Sequence, residues 1–373
     1  MLPGRFSDEI RSSVSSGRRK DSSMAKIILF VRKVCLILQH SMEVVTGANG
    51  FLGAHLCASL LLAGKTVKAC KRKGASLAQF NQIMDWRLGA DMALMQHLTW
   101  EDADILDYEA LLKAFEGARR VYHCAAVVSF WPKRRDELFQ TNVEGTAHVV
   151  NACLALQIPK LLYVSSIAAI GRSGKGEMIT EETPWSESKN NSQYSITKYL
   201  AEMEVWRGQE EGLDVAIVNP GIILGEGDWN KGSCRFFKMI MDGSSFYTRG
   251  MNGYVDVVDV AKVLIHLADS DIKGQRYILV AENLTVRAFL TMVAQKMNKP
   301  APKREAKSWM LQIAWRILAL KALIDKKEPL ITQETARTSL NTYTYSNRKV
   351  EQTLSLKLGS IATCTERVIS RIN

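Results

Sequence analysis

A chain of 373 residues with 47% hydrophobic and 23% charged side chains has the composition of an ordinary soluble globular protein, long enough for one large domain or two modest ones. The net charge of +11 is terminal: residues 1–41 hold eight Lys/Arg against three Asp/Glu, residues 301–373 hold thirteen against six, and residues 42–300 hold twenty-eight against twenty-nine. A neutral centre argues against a nucleic-acid-binding core, and seven scattered cysteines with no Cys-x-x-Cys pair argue against a disulfide framework or a metal site and for reduced thiols in a cytoplasmic setting.

The leading stretch MLPGRFSDEIRSSVSSGRRKDSS is polar and Ser/Arg-rich, so disorder is expected there. IILFVRKVCLIL, residues 27–38, is apolar but carries Arg32 and Lys33, and it is too short to span a bilayer. It does not fit a signal peptide either. Residues 1–41 are therefore expected to be a disordered or spurious extension, with Met24 or Met42 as the working start, and to be dispensable for folding.

From residue 43 strands and helices alternate. EVVTG is a short apolar strand, and FLGAHLCASLLLAG (51–64) is a helix ending at Gly64, a C-cap signal. TVKACKR and LTWEDADI read as strands, and YEALLKAFEG as a helix closed by Gly117. RRVYHCAAVVSF is a buried strand with its loop, NVEGTAHVVNACLALQ a helix, and KLLYVSSIAAIG a strand. The helix containing QYSITKYLAE follows, then the strand LDVAIVNPG. Beyond residue 220 the rhythm loosens into a strand QRYILV, a helix TVRAFLTMVAQKM and a long apolar helix around SWMLQIAWRILALKALI. Such alternation predicts an α/β fold, a doubly wound parallel sheet with helices on both faces. The last helix leaves three readings open: core or inter-lobe packing, a lid, or a surface helix lying on a membrane. Arg316 and Lys321 argue against a transmembrane span.

VVTGANGFLGAHL places Gly47, Gly50 and Gly53 between the first strand and the first helix. Glycines there permit a tight turn and let backbone N–H groups approach a pyrophosphate at the helix start. The spacing is one residue longer in its first interval than the G-x-G-x-x-G fingerprint. Gly47, Asn49, Gly50, Phe51, Leu52 and Gly53 are the candidate phosphate-binding residues. The second strand ends in Lys71, Arg72 and Lys73, where an NAD-specific pocket would carry an acid. A cation such as Arg72 suits the 2′-phosphate of NADP, so NADP(H) is favoured and NAD(H) remains possible; the alternative is a solvated basic turn. Asp104 and Ile105 could flank the adenine, and Asp104 could equally cap a helix.

Tyr194 and Lys198 lie one helical turn apart. A tyrosine hydroxyl titrates near 10 in water, and a neighbouring ammonium is expected to lower that value. Ser166, at the end of LLYVSS, can hydrogen-bond a substrate oxygen as charge develops on it. These three residues would form a proton donor, its tuner and an oxygen clamp beside a hydride carrier.

Taken together, TGANGFLG, ADILD, VYHCAA, TNVEGT, YVSSIAAIG, YSITK and VNPGIILGEGDW resemble, in order, the motifs of the extended short-chain dehydrogenases/reductases, strongly over residues 42–300 and more weakly to about 355. The resemblance implies a Rossmann domain over 42–220. It also implies a mainly substrate-binding region over 221–373, interleaved with late Rossmann elements. It implies catalytic roles for Tyr194, Lys198 and Ser166. It further implies nicotinamide contacts from Ala125, Ala126 and the backbone from Pro220 to Ile222, and for Asn142 a role in a backbone bend or in holding a water. GEGDWNKGS and KKEPLITQETAR look like the dihydroflavonol-reductase-like branch, near the 3β-hydroxysteroid dehydrogenases. Dehydratases of the family place Asp-Glu after the catalytic Thr, whereas Ser166 is followed by Ile167 and two alanines. Nucleotide-sugar enzymes often carry Arg-Asp before a segment like VDVVDVA; here Arg249 is displaced from it. Both absences favour hydride transfer to a largely apolar ketone, with Val127, Val128, Phe130 and Trp131 on the substrate side. A nucleotide-sugar epimerase and a non-catalytic scaffold are the alternatives. The expected partner is a small molecule, bound by a monomer or homodimer, with membrane-surface contact open.

Overall fold

Seven short strands line up in one parallel sheet in the computed structural model, which describes residues 42–172, 176–188 and 191–371. The expectations placed on residues 1–41 lie outside the described residues. The strands are β1 (Met42–Thr46), β2 (Thr66–Lys71), β3 (Leu98–Asp102), β4 (Ala118–His123), β5 (Lys160–Val164), β6 (Val215–Pro220) and β7 (Gln275–Leu279). Their spatial order is β3-β2-β1-β4-β5-β6-β7, every neighbour parallel. The chain runs outward one way from β1 and then returns to start the other way at β4. The carboxyl ends of β1 and β4 therefore border the crevice where such sheets take ligands.

Alternate residues of each strand feed two apolar layers, as a strand period of two requires. Val45, Leu162, Ala216 and Val218 face the helices Phe51–Leu62 and Val257–Asp269. Val44, Leu161, Val215 and Ile217 face the helices Tyr108–Phe115, Gly145–Ala155 and Gln193–Glu210. Burial on both sides makes β6 sequestered at every residue.

Beyond β6 the chain crosses from the large sheet to a small one at Gly221, where a Cβ would lie 2.4 Å from the Gly253 carbonyl oxygen. The small sheet holds Ile222–Leu224 parallel to Met251–Asp256, with Glu282–Thr285 antiparallel on the other side. Between Asp256 and Glu282 the chain returns to the large sheet as β7.

Several predicted elements shift. The first helix ends at Leu62, and Gly64 supplies the left-handed turn after it at φ +71°. The third strand stops at Asp102, which frees Ala103, Asp104 and Ile105 as a loop. The helix expected from Asn142 starts earlier, at Arg135, and passes through a wide turn over Gln140–Glu144 that contains Asn142. Helices Ala78–Leu88 and Val257–Asp269 were not anticipated. The latter is capped by Asp256, whose carboxylate accepts from Val258 N–H at 2.9 Å. The long apolar helix forms over Ser308–Asp325 but buries only Leu311 and Ala322, so it is not a core helix.

Candidate active site

β1 delivers the chain to Gly47, which turns with φ +64° and passes so close to β4 that a Cβ would sit 2.7 Å from Ala125 Cα. Gly50 N–H donates to the Gly47 carbonyl at 2.9 Å and opens the helix Phe51–Leu62. Gly53 seats that helix against the turn: a Cβ there would lie 2.2 Å from the Gly47 oxygen. The helix start has no side-chain cap and no acid in its first turn. Its free amides, including those of Phe51, Leu52 and Gly53, make an anion the ligand that suits it. The side chains of Phe51 and Leu52 belong to the core instead, Phe51 edge-on to His55 at 5.3 Å. The cradle thus fits a dinucleotide's phosphates.

Beside the cradle is a cavity of about 280 Å³. Gly47, Asn49 and Gly50 form one wall, Arg72 and Asp104–Ile105 another, and Ala125 and Ala126 a third. Lys71 is paired with Asp102, whereas Arg72 is exposed and has no ion pair among the described residues. Asp104 is not a helix cap. Its carboxylate accepts from Leu106 N–H at 3.1 Å within the loop, and Asp107 caps the helix by accepting from Ala110 N–H at 3.0 Å. Ile105 is buried against Gly145. Pro220 and Ile222 flank the crossing between the sheets and line neither this cavity nor the wider cleft of about 900 Å³ that shares Asn49 and Arg72.

The helix Gln193–Glu210 begins at Ser192, whose hydroxyl caps Ser195 N–H at 3.0 Å. This start brings Tyr194 to Ser166, which ends the stretch after β5 and accepts from Ala168 N–H at 3.1 Å. The Phe130 ring stands edge-on to Tyr194 at 5.8 Å. Burial pushes the Tyr194 hydroxyl above its ordinary pKa, and its hydrogen bond with the Ser166 side chain works the other way. The expected lowering by Lys198 is therefore not what this geometry gives. The Lys198 amine is turned to Tyr163 Oη and the Val164 carbonyl, each at 2.8 Å. Burial also lowers its own pKa from 10.5 to about 7, with Glu202 opposing, so near neutrality its charge is only partial.

Three supporting groups escaped the sequence reading. Glu202 stands one turn beyond Lys198 and is fully buried. Its carboxylate accepts from Ser165 Oγ at 2.5 Å, Asn219 Nδ2 at 2.8 Å and Arg276 Nη1 at 2.9 Å. Asn219 Nδ2 also donates to the Ser166 carbonyl at 3.0 Å, which fixes the backbone under the serine. The 194-198-202 spacing was the available signal. His123 and Tyr163 stack at 5.5 Å, and the imidazole lies between Thr46 Oγ1 at 2.8 Å and Thr146 Oγ1 at 3.0 Å. Burial holds the His123 pKa at about 3, so it is a neutral strut behind the lysine.

Asn142 does sit in a bend, and its amide grips the loop that follows β4. Val127 N–H donates to Oδ1 at 2.8 Å, while Nδ2 donates to the Val127 carbonyl at 2.9 Å and to Thr197 Oγ1 at 3.1 Å. Asn142→Leu strands both Val127 backbone groups. It is expected to lower stability by about 1–3 kcal/mol, as judged by urea unfolding; an unchanged midpoint would show that the loop finds other partners.

Comparison with known proteins places this geometry. A sterol demethylase protein B of Methylococcus capsulatus is 31% identical over 265 residues, 69% of this chain and 75% of the relative. A Synechocystis protein named as a dihydroflavonol 4-reductase is 29% identical over 330 residues, 85% of this chain and 90% of that protein. The crystal structure of gox2253 superposes with a TM-score of 0.72 at 26% identity, covering 88% of this chain and 97% of that one. Residues 44–280 match the NAD dependent epimerase/dehydratase family. With its seven-stranded Rossmann sheet and glycine cradle, the chain belongs to that family, within the extended short-chain dehydrogenases/reductases.

Proposed function

We propose that the chain moves hydride between NADP(H) and a largely apolar ketone or secondary alcohol. The observation that carries this reading is the Tyr194–Ser166 pair beneath the Phe130 ring, at the carboxyl edge of β5. In the reductive direction Ser166 Oγ donates a hydrogen bond to the substrate oxygen, and Tyr194 Oη gives that oxygen its proton as the carbonyl becomes an alcohol. Lys198, held by Tyr163 Oη and the Val164 carbonyl, would hold the nicotinamide ribose. The cofactor, when bound, supplies the hydride. Glu202 and Asn219 keep Ser166 in register, and Asn142 keeps Val127 and its neighbours at the apolar wall. A reductase and a sterol-demethylation protein among the relatives support an apolar substrate.

Arg72 is assigned to the 2′-phosphate, since Lys71 is already neutralised by Asp102. Arg72→Ala should weaken NADPH about 10-fold, roughly one charge-assisted hydrogen bond, and leave NADH unchanged. Fluorescence titration of both cofactors checks this, alongside NADPH consumption with a panel of hydrophobic ketones. An unaltered NADPH/NADH ratio, or tighter NADH binding by the intact protein, would overturn the NADP assignment. If no ketone is reduced, the reaction assignment fails separately.

A further inference from the structure

The helix Ser308–Asp325 presents Trp309, Ile313, Ile317, Leu320, Leu323 and Ile324 to the outside, each between 51% and 86% exposed. At about 100° per residue these six fall within an arc of roughly 120°, an apolar face that one cation, Arg316, shares. The opposite side packs Leu311 and Trp315 against Ala336 of the helix Gln333–Thr338. The exposed arc is therefore not a face that the described fold covers.

The charges around it are one-sided. No acid interrupts the helix before Asp325; Arg316 lies within the arc, Lys321 borders it, and Lys307, Lys326 and Lys327 lie just off the helix ends, all exposed. Residues 301–330 hold seven Lys/Arg against three Asp/Glu. One of those acids, Glu328, is already engaged by Arg134 at 3.2 Å and Ser129 at 2.6 Å. The Arg316 guanidinium lies over the Trp315 ring at 4.7 Å and donates to the Gln312 carbonyl at 2.6 Å. A second copy of this chain docking here across a two-fold axis would bring cations against cations. A bilayer surface with anionic headgroups meets both the apolar arc and the basic rim.

We propose that this face docks on an anionic phospholipid surface, the helix lying in the plane of the headgroups. It is no membrane span: none of the described helices is long and apolar enough to cross a membrane. Between this helix and Trp131 runs an apolar groove of about 490 Å³, lined by Trp315, Leu320 and Leu323. Trp131 directly follows Phe130, the ring against Tyr194. Docking would set the mouth of this groove beside the acyl chains, where apolar molecules dissolve.

The test is co-sedimentation of the full chain with vesicles of phosphatidylcholine plus phosphatidylserine, against vesicles of phosphatidylcholine alone. The wild-type protein should pellet with the anionic vesicles. Binding should fall about 10-fold or more with neutral vesicles and in the Ile317→Glu, Leu320→Glu double variant. Both side chains are exposed, so the variant should bind NADPH as the wild type does, which checks its fold. Failure of the wild type to pellet with anionic vesicles would overturn the proposal. Undiminished binding by the variant would assign any lipid contact to another part of the chain and overturn it too. A dimer that the variant abolishes, seen by sedimentation velocity without vesicle binding, would give the face to a second copy instead.

Discussion

Replacing Tyr194 with phenylalanine is expected to lower turnover by about 10²-fold or more, the usual scale of a lost general acid, with cofactor affinity and thermal stability little changed. The substitution removes one oxygen and keeps a ring whose edge-on partner is Phe130. The steric cost is therefore small, and the loss falls on the step in which the substrate oxygen takes its proton. Steady-state rates with NADPH and a reducible ketone, beside a cofactor titration, separate the two effects. Full activity in Tyr194→Phe would reduce the 194–198 spacing to an ordinary contact on one helix face. A fall in cofactor affinity matching the fall in rate would assign Tyr194 to binding.

Lys198→Met should act on both quantities. Turnover is expected to fall by about 10²-fold or more, and NADPH affinity by about 10-fold, because the amine is assigned to the nicotinamide ribose, whose placement sets the geometry of hydride transfer. Its pH dependence is distinctive. Burial lowers the Lys198 pKa from 10.5 to about 7, whereas the unfolded chain holds the proton to the higher value. Between those values the unfolded state binds one more proton than the folded state, so this residue makes stability rise with pH across the window. Cofactor affinity should run the opposite way. A polyanion favours the charged amine, so binding takes up a proton above about pH 7 and weakens as pH rises, by at most about tenfold per unit. Both trends should vanish in Lys198→Met. Chemical unfolding and cofactor titration over that pH range measure them; a wild-type affinity that stays flat would mean that Lys198 does not sense the cofactor's charge.

What the sequence made legible was what is local. The glycine turn, the strand–helix alternation and the Tyr194–Lys198 spacing each lie within a few residues, so period and turn chemistry expose them. The helix Val257–Asp269 is equally local, with apolar residues at helical spacing after the capping Asp256, but its Val257–Val258 opening suits a strand as well. The electrostatics were not legible. Glu202 meets Arg276 across 74 positions, and Lys198 meets Tyr163 across 35, contacts that only the closed sheet creates. Burial, which raises Tyr194 and lowers Lys198, is likewise a property of the packed layers. The helix Ser308–Asp325 illustrates the converse: its apolar content was plain, but whether that content faces inward depended on neighbours that turned out to cover little of it.

The most direct measurement follows the hydride itself. NADPH deuterated at the transferring position of the nicotinamide is incubated with the enzyme and a hydrophobic ketone, and the alcohol is examined by mass spectrometry. Hydride transfer with Tyr194 as proton donor predicts one deuterium in the product, on the former carbonyl carbon. In Tyr194→Phe the labelled product should form about 10²-fold more slowly or worse. A product formed without the label, or labelled product at the wild-type rate in Tyr194→Phe, would contradict it.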